Sequence, residues 1–149
     1  MTPSAKPVVL VLNGPNLNLL GVREPEIYGT ATVDDHVAAF TKALDGAAEV
    51  EHVQSNHEGV LVDAIQGARS RCAAIVINGG AFTHYSWAIH DALAAYDGPV
   101  VEVHISNPNA REPWRHTSVV SPVAKGTIMG FGGHGYVLAA LAVRELLAP

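Results

Sequence analysis

Polar residues follow four apolar runs of this sequence, at the points where those runs end. The four groups occupy residues 13–16, 54–56, 78–80 and 104–107, and they are rich in Asn, His, Gly and Ser. Amides, imidazoles and hydroxyls exchange hydrogen bonds with ligands, and glycine lets the backbone approach a ligand closely. If the apolar runs are neighbouring strands of one sheet, the groups together predict a binding site for a small polar molecule.

Two longer segments between the apolar runs add cationic and phenolic side chains. The segment after the first run contains Arg23 and Tyr28 among Gly and Pro, and residues 107–116 contain Arg111 and Arg115. Long loops in compact domains are commonly lids or binding loops. Because the arginines are few and lie in loops, they favour a small anionic substrate over a charged polymer.

The elements that would position these residues alternate along the chain. Apolar and β-branched runs predict buried parallel strands, and longer stretches with helical periodicity predict helices. The predicted strands are 8–13, 50–55, 73–78, 100–104 and 127–129, and the predicted helices are 33–44, about 58–71, about 86–96 and 136–147. Thr32 and Asp35 predict the start of the first helix, and Gly46 predicts its end. This order predicts an open α/β sheet that binds ligands beyond the carboxyl ends of its strands.

The bulk properties restrict the class of protein. With 149 residues, 48% of them hydrophobic and 15% charged, the sequence predicts one domain over residues 1–149, with residues 1–6 as a flexible tail. The net charge is −5 and no basic run occurs, which argues against nucleic acid as a partner. The apolar runs are too short to span a membrane, and the opening residues do not resemble a secretory signal. Cys72 is the only cysteine, so we expect a reducing, cytoplasmic location.

Three patterns that could indicate other chemistry are weak. Residues 130–135 match G-x-G-x-x-G, but the chain ends before the strand and acidic residue that a dinucleotide site needs, so we interpret them as a tight turn. The eight histidines lack metal-ligand spacing, and no G-x-S-x-G motif occurs. We therefore expect no metal and no cofactor. An isolated histidine such as His36 or His52 is more often a surface or core-edge residue than a catalyst.

An ordered set of motifs resembles the type II 3-dehydroquinate dehydratase family. The motifs are residues 12–21 (LNGPNLNLLG), 23–25 (REP), 27–29 (IYG), 54–59 (QSNHEG), 77–81 (INGGA), 83–84 (TH), 91–93 (DAL), 101–107 (VEVHISN), 110–112 (ARE), 132 (G) and 135–136 (GY). They cover nearly the whole chain in the family's order and spacing. The resemblance implies a flavodoxin-like fold, an open sheet of about five parallel strands with helices on both faces. It also implies trimers assembled into a homo-dodecamer, and no metal or cofactor.

The resemblance implies an elimination of water with a tyrosine as the base. Tyr28 would remove a proton from the carbon next to the ketone of 3-dehydroquinate, and His104 would protonate the hydroxyl that leaves the resulting enolate. The product would be 3-dehydroshikimate, formed by anti elimination. A phenol is a poor base at neutral pH unless cations favour the phenolate, and Arg23 is the obvious cation, helped by Arg111. Glu102, on the same side of its strand as His104, would favour the protonated imidazole.

The same resemblance implies the substrate contacts. Asn16 would hold a water at the enolate oxygen, and the segment from Arg23 to Tyr28 would close as a lid. Backbone amides of Ile105 and Ser106 would hold the substrate carboxylate. The remaining contacts by resemblance are Asn78 near the reacting centre, His84 and Arg115 at the substrate hydroxyls, Arg111 as a further substrate contact, and Asp91 reaching into a neighbouring subunit's site.

Several positions depart from the family pattern without removing the base or the acid. The departures are Val60, Gly79, Trp87, His90, Pro113, Trp114 and His134, and Tyr85 flanks the same region as Trp87. They leave open the same chemistry on an amino-substituted dehydroquinate, or a role in quinate breakdown. A flavodoxin-like binding domain without catalysis, or a metal-dependent lyase, is the alternative from another class. Retention of Tyr28, Arg23 and His104 favours the enzyme.

Overall fold

The computed structural model describes residues 4–149, and its centre is one five-stranded sheet in which every strand pairing is parallel. The strands are β1 (Val8–Asn13), β2 (Glu49–Gln54), β3 (Ala74–Asn78), β4 (Val100–His104) and β5 (Gly126–Met129). Their order across the sheet is β2-β1-β3-β4-β5, which is the flavodoxin-like order. The predicted fold class is confirmed, and each strand lies within one residue of its predicted bounds.

Helices cover both faces of the sheet. They are α1 (Pro25–Tyr28), α2 (Val33–Leu44), α3 (Glu58–Ala68), α4 (Trp87–Ala94) and α5 (His134–Leu147). Side chains of α2 and α5 share one core cluster, and those of α3 and α4 share the cluster on the opposite face. The sequence did not predict α1, a single turn inside the long segment after β1. It also placed the ends of α3 and α4 two or three residues too late, because the chain turns there to bring the Tyr96 hydroxyl to the Cys72 carbonyl at 2.7 Å.

The central strands are buried on both sides, which explains their continuous apolar sequences. Every residue of β3 and of β4 is buried, and alternate side chains point to opposite faces. Val11 packs with Phe40 and Tyr136 in the cluster under α2 and α5, and Leu12 packs with Ile65 in the cluster under α3 and α4. The sheet is therefore a rigid platform between two cores, and its carboxyl edge is fixed in space.

Local signals set the ends of α2. The Thr32 hydroxyl accepts from the backbone of Asp35 at 3.1 Å, and the Asp35 carboxylate accepts from the backbone of Thr32 at 2.9 Å. This reciprocal cap contributes about 1 kcal/mol to helix stability. The helix ends where Asp45 and Gly46 both adopt positive φ angles. The start and end predicted from the sequence are confirmed.

The glycines of residues 130–135 form a tight turn before α5. Gly130 and Gly132 have φ angles of 93° and 60°. A Cβ at Gly133 would lie 2.2 Å from Cε1 of His36, and one at Gly135 would lie 3.2 Å from Cγ2 of Val103. The glycines therefore let α5 pack closely on α2 and on β4.

The chain before β1 has no regular structure at residues 4–7, which are exposed. The predicted flexible tail covers residues 1–6, and its first three residues lie outside the described part of the chain. Within residues 4–149, no helix is both long enough and apolar enough to cross a membrane.

Candidate active site

A cleft opens at the carboxyl edge of the sheet, above β1, β3 and β4. The residues that line it are Pro15, Asn16, Leu17, Arg23, Tyr28, Asn78, Gly80, Ala81, His84, His104, Ile105, Ser106, Pro108, Arg111 and Arg115. Every site residue proposed from the sequence is in this set except Glu102 and Asp91. The cleft lies where sheets of this strand order bind ligands, because the connections diverge there.

Two glycines allow the loops after β1 and β3 to touch, and so bring their amide side chains to one cleft. A Cβ on Gly14 would lie 2.3 Å from the carbonyl oxygen of Gly79, a separation that no side chain tolerates. The backbone of Gly14 donates to the carbonyl of Asn78 at 2.8 Å. Asn16 adopts a φ angle of 67°, and its backbone donates to Oδ1 of Asn56 at 2.9 Å. Asn16, in the loop after β1, and Asn78, at the end of β3, therefore both have fixed backbones at the cleft.

Tyr28 lies between two guanidinium groups. Nη1 of Arg111 donates to the Tyr28 hydroxyl at 2.8 Å and to the Ser106 hydroxyl at 3.2 Å. The guanidinium carbons of Arg23 and Arg111 lie 5.2 Å and 5.4 Å from the centre of the Tyr28 ring. Arg23 also pairs with Glu24 at 3.5 Å. The sequence suggested Arg23 as the main cation for Tyr28, whereas the direct hydrogen bond comes from Arg111, on the opposite loop.

His104 is held by a buried carboxylate at the other side of the cleft. Its Nε2 lies 2.6 Å from Oε2 of Glu102, a side chain with no solvent exposure. Three hydroxyl groups also donate to that carboxylate, from Ser118 at 3.0 Å, Ser121 at 2.6 Å and Thr127 at 3.2 Å. Sequence reasoning missed all three, since no local spacing relates them to Glu102.

The carboxylate of Glu102 stays ionised in this setting. Burial acts to raise the pKa of Glu102, but the hydrogen bond and charge of His104, with the hydroxyls of Ser121 and Ser118, outweigh it and hold the pKa below its usual value. A carboxylate only accepts hydrogen bonds, so the proton between the two side chains is on Nε2 of His104. Nδ1 is then the ring nitrogen that His104 can offer to a ligand.

His84 is a neutral acceptor on the wall of the cleft. Its Nδ1 lies 2.7 Å from the carbonyl oxygen of Thr117 and must donate to it. Burial is the largest effect on His84 and lowers its pKa, and the charges of His104 and Arg115 lower that pKa further. The hydrogen bond to the Thr117 carbonyl and the charge of Glu102 act to raise the pKa but do not outweigh burial. With Nδ1 protonated, Nε2 is left to accept a hydrogen bond from a ligand hydroxyl.

An exposed tryptophan supports two residues of that wall. The ring of Trp114 meets the ring of His84 edge to face at 5.4 Å between centres, and the guanidinium of Arg115 lies 4.0 Å from the Trp114 ring centre. Nε of Arg115 also donates to Glu112 at 2.6 Å. Trp114, one of the departures from the family pattern, therefore contacts both side chains that the resemblance assigns to the substrate hydroxyls.

Asp91 is the one predicted site residue that this chain does not bring near the cleft. It lies on α4, in a groove that also contains Gln66 and Arg69 of the α3 segment. The cleft itself contains two histidines and three arginines but no metal-binding cluster: among residues 4–149, no group of three or more His, Cys, Asp or Glu side chains is placed to hold a metal ion.

Comparison with known proteins gives one consistent family. A family model described as dehydroquinase class II matches residues 7–144. The chain is 56% identical over 144 residues to 3-dehydroquinate dehydratase 2 of Pseudomonas putida, which covers 95% of this chain and 96% of that protein. It is 54% identical over 132 residues to the catabolic 3-dehydroquinase of Aspergillus clavatus, which covers 88% of each. The crystal structure of type II dehydroquinase from Propionibacterium acnes matches with a TM-score of 0.89 at 44% identity, covering 96% of this chain and 99% of that one.

Proposed function

The chain belongs to the class II dehydroquinase family, and we propose that it is a hydro-lyase that removes water from 3-dehydroquinate to give 3-dehydroshikimate. The observation that carries this proposal is a phenol and an imidazole in one cleft, each hydrogen-bonded to a charged side chain. Tyr28 is hydrogen-bonded to Arg111 at one side, and His104 is hydrogen-bonded to Glu102 at the other. An elimination needs a base and an acid, since one bond to hydrogen and one bond to oxygen must break.

Tyr28 is the base in this proposal. A phenol accepts a carbon-bound proton only as its phenolate, and a cation at hydrogen-bond distance favours that form. Arg111 supplies such a cation at 2.8 Å, and Arg23 adds a second positive charge over the ring. Guanidinium groups stay charged at every working pH, so this stabilisation is permanent.

The proton transfer to Tyr28 leaves an enolate, whose oxygen needs hydrogen-bond donors. Asn16 lies in the loop after β1 and Asn78 at the end of β3, where their amides can meet that oxygen directly or through a water. Because the backbones of both residues are fixed, their donors need little reorganisation when charge develops.

His104 is the acid. The Glu102 carboxylate accepts the Nε2–H of His104 and orients the ring, and Nδ1 of the protonated imidazole delivers its proton to the hydroxyl as the carbon–oxygen bond breaks. The electron pair of the broken C–H bond becomes the new C=C bond, and the hydroxyl leaves as water. Tyr28 then holds the proton from carbon and His104 lacks one, so a proton passed through solvent restores the starting state.

The arginines and the loop after β4 suit the carboxylate of the substrate. Ile105 and Ser106 line the cleft directly after β4 ends, and the Ser106 hydroxyl already contacts Arg111. We infer that backbone amides of this loop and the Ser106 hydroxyl hold the carboxylate. His84 and Arg115 then face the substrate hydroxyls.

The subunit assembly is proposed from the family resemblance, which assigns Asp91 to a neighbouring subunit's site. Asp91 lies outside the cleft of its own chain, as that assignment requires. We propose trimers that assemble into a dodecamer, and light scattering on the purified protein tests the subunit number. We also propose a cytoplasmic enzyme of the shikimate pathway, which supplies aromatic amino acids.

Formation of the conjugated enone, followed by ultraviolet absorbance, tests the reaction and its base together. We expect turnover of 3-dehydroquinate by the unmodified protein and a loss of about 100- to 10,000-fold in kcat for Tyr28→Phe. Tyr85→Phe is the matched control, because it removes the same hydroxyl from an exposed tyrosine. Full activity of Tyr28→Phe would exclude the assigned base.

The same assay separates the alternatives. Turnover of an amino-substituted dehydroquinate without turnover of 3-dehydroquinate would support the proposed elimination but assign it to a different substrate. Binding of both compounds without turnover would leave a ligand-binding domain. Activity that disappears with a chelator and returns with a divalent metal would indicate the metal-dependent lyase.

A further inference from the structure

A continuous chain of hydrogen bonds connects the cleft with a histidine on the edge of the sheet. Nδ2 of Asn78 donates to the Tyr136 hydroxyl at 3.0 Å, and that hydroxyl donates to Oδ1 of Asn13 at 2.5 Å. Nδ2 of Asn13 lies 3.0 Å from Nε2 of His52, on β2. All four residues lie on the face of the sheet that α2 and α5 cover.

A backbone group fixes the direction of this chain. The backbone N–H of Gly80 can only donate, and it points to Oδ1 of Asn78 at 3.2 Å. The amide of Asn78 must therefore turn Nδ2 toward the Tyr136 hydroxyl. That hydroxyl accepts from Asn78, so its own proton is directed away from the cleft.

Each remaining hydrogen bond up to His52 then has only one possible donor and one possible acceptor. The Tyr136 proton is donated to Asn13, which requires Oδ1 of Asn13 on that side and Nδ2 on the other. Nδ2 is a donor, so Nε2 of His52 must be the acceptor, and the imidazole proton must be on Nδ1. Burial lowers the pKa of His52, against the charge of Asp34, which agrees with a neutral ring.

Burial prevents water from changing which group donates and which accepts in these hydrogen bonds. Asn13 and Tyr136 have no solvent exposure, and Asn78 is 3% exposed, so water does not replace a missing partner. Burial also raises the pKa of Tyr136, so its hydroxyl stays protonated. Of the residues in the chain of bonds, His52 is the one that is only half-buried.

We propose that His52 is a positioning residue for the dehydration: its unprotonated Nε2 accepts from the Asn13 amide and so anchors the far end of the hydrogen-bond chain, which together with the Gly80 N–H holds Asn78 with its donor group available to the cleft. The proposal rests on the proposed function of this cleft. Nδ2 of Asn78 has a second N–H beyond the one given to Tyr136, and that N–H suits the developing enolate oxygen. A reversed amide would present lone pairs, which repel the same charge.

Substitution of His52 on the surface of β2 tests this role without emptying the core. His52→Leu removes the acceptor, so Nδ2 of Asn13 loses its partner and the far end of the hydrogen-bond chain is no longer anchored. His52→Gln restores an acceptor, since its Oε1 reaches about as far as Nε2 of histidine. Val50→Ala is the matched control, because Val50 is half-buried on the same strand as His52. Its side chain packs against the core cluster under α2 and α5 and takes no part in the hydrogen bonds that link His52 to Asn78.

We expect kcat of His52→Leu to fall about three- to tenfold, the effect of one neutral hydrogen bond, with KM changed less than about twofold. His52→Gln should recover at least about half of the unmodified kcat. Val50→Ala should lower the melting temperature and leave kcat unchanged. Equal activity of His52→Leu and the unmodified protein, or equal impairment of the Leu and Gln variants, would overturn the proposal.

The tautomer of His52 gives a second readout that needs no turnover. Long-range ¹H–¹⁵N correlation spectra of the histidine-labelled protein, assigned with His52→Gln, should place the imidazole proton on Nδ1 of His52. A proton on Nε2 would overturn the proposal whatever the activity. Absence of turnover in the unmodified protein would instead refute the proposed function, so the two failures give different results.

Discussion

The two arginines beside Tyr28 make unequal contributions to catalysis if the hydrogen bond, and not charge alone, activates the base. We consider Arg111→Met and Arg23→Met, each of which removes one guanidinium and keeps a flexible apolar stem. Their guanidinium carbons lie 5.4 Å and 5.2 Å from the Tyr28 ring centre, so the two charges are nearly equally close to the ring, and Arg111 is in addition hydrogen-bonded to the hydroxyl.

The magnitudes follow from this geometry. Two unit charges about 5 Å apart interact by about 3 kcal/mol at an effective dielectric constant of about 20. That contribution is common to both arginines, and Glu24 at 3.5 Å reduces it for Arg23. Arg111 adds the hydrogen bond to the Tyr28 hydroxyl at 2.8 Å, and a bond to a charged partner contributes about 1.5 to 3 kcal/mol. The loss in kcat should therefore be about 10- to 150-fold greater for Arg111→Met than for Arg23→Met.

Steady-state kinetics at saturating 3-dehydroquinate measure the difference, with circular dichroism to check folding. Arg111→Lys should fall between the unmodified protein and Arg111→Met, because it keeps the charge and loses the guanidinium geometry. Arg71→Met is the control, since Arg71 pairs with Glu51 far from the cleft. Equal losses for the Arg111 and Arg23 variants, or a larger loss for Arg23→Met, would refute the reasoning.

Two further predictions concern buried ionisable groups. Glu102→Gln should lower kcat by about 10- to 150-fold and change KM less than about threefold, because it removes the charged partner of His104; an unchanged kcat would exclude that partnership. Burial, against the charge of Asp35, lowers the pKa of His36 from its usual value of 6.5, so the folded state binds fewer protons than the unfolded state below about that pH. The contribution of His36 to stability is thus present above about pH 6.5 and lost as the pH falls. Between pH 7.5 and 5.5, the free energy of unfolding in urea titrations should decrease less for His36→Phe than for the unmodified protein. Parallel decreases in the two proteins would contradict this.

The sequence predicted the fold well because its signals are local and repeated. Strands β3 and β4 are short runs buried on both faces, and α2 is marked at its start by Thr32 and Asp35. Helix ends were predicted less well where tertiary contacts decide them. The turn after α3 ends at Cys72, whose carbonyl accepts from Tyr96, and a bond between residues 24 positions apart has no local signature.

The residues of the cleft were largely predicted, but their connections were not. Arg23 was favoured as the partner of Tyr28 because the two are close in the chain, whereas the hydrogen bond comes from Arg111, 83 positions away. The hydroxyls that hold Glu102 come from a loop and a strand that follow it in the chain. A hydroxyl carries no charge, so nothing in the sequence marks these residues as partners of Glu102. Polar partners of this kind become visible only when the packing of the sheet and its loops is known.

The proposed acid and the proposed base differ in how they are positioned. His104 ends a fully buried strand, and its partner Glu102 is held by three hydroxyls, so the fold itself fixes the place of this side chain. Tyr28 lies on the single turn α1, and its hydrogen bond to Arg111 joins the segment after β1 to the segment after β4. Opening of the segment from Arg23 to Tyr28 would break that bond and separate Tyr28 from Arg111, while Arg23 would move with Tyr28. We therefore expect proton abstraction to require the closed segment, which couples that step to the exclusion of water.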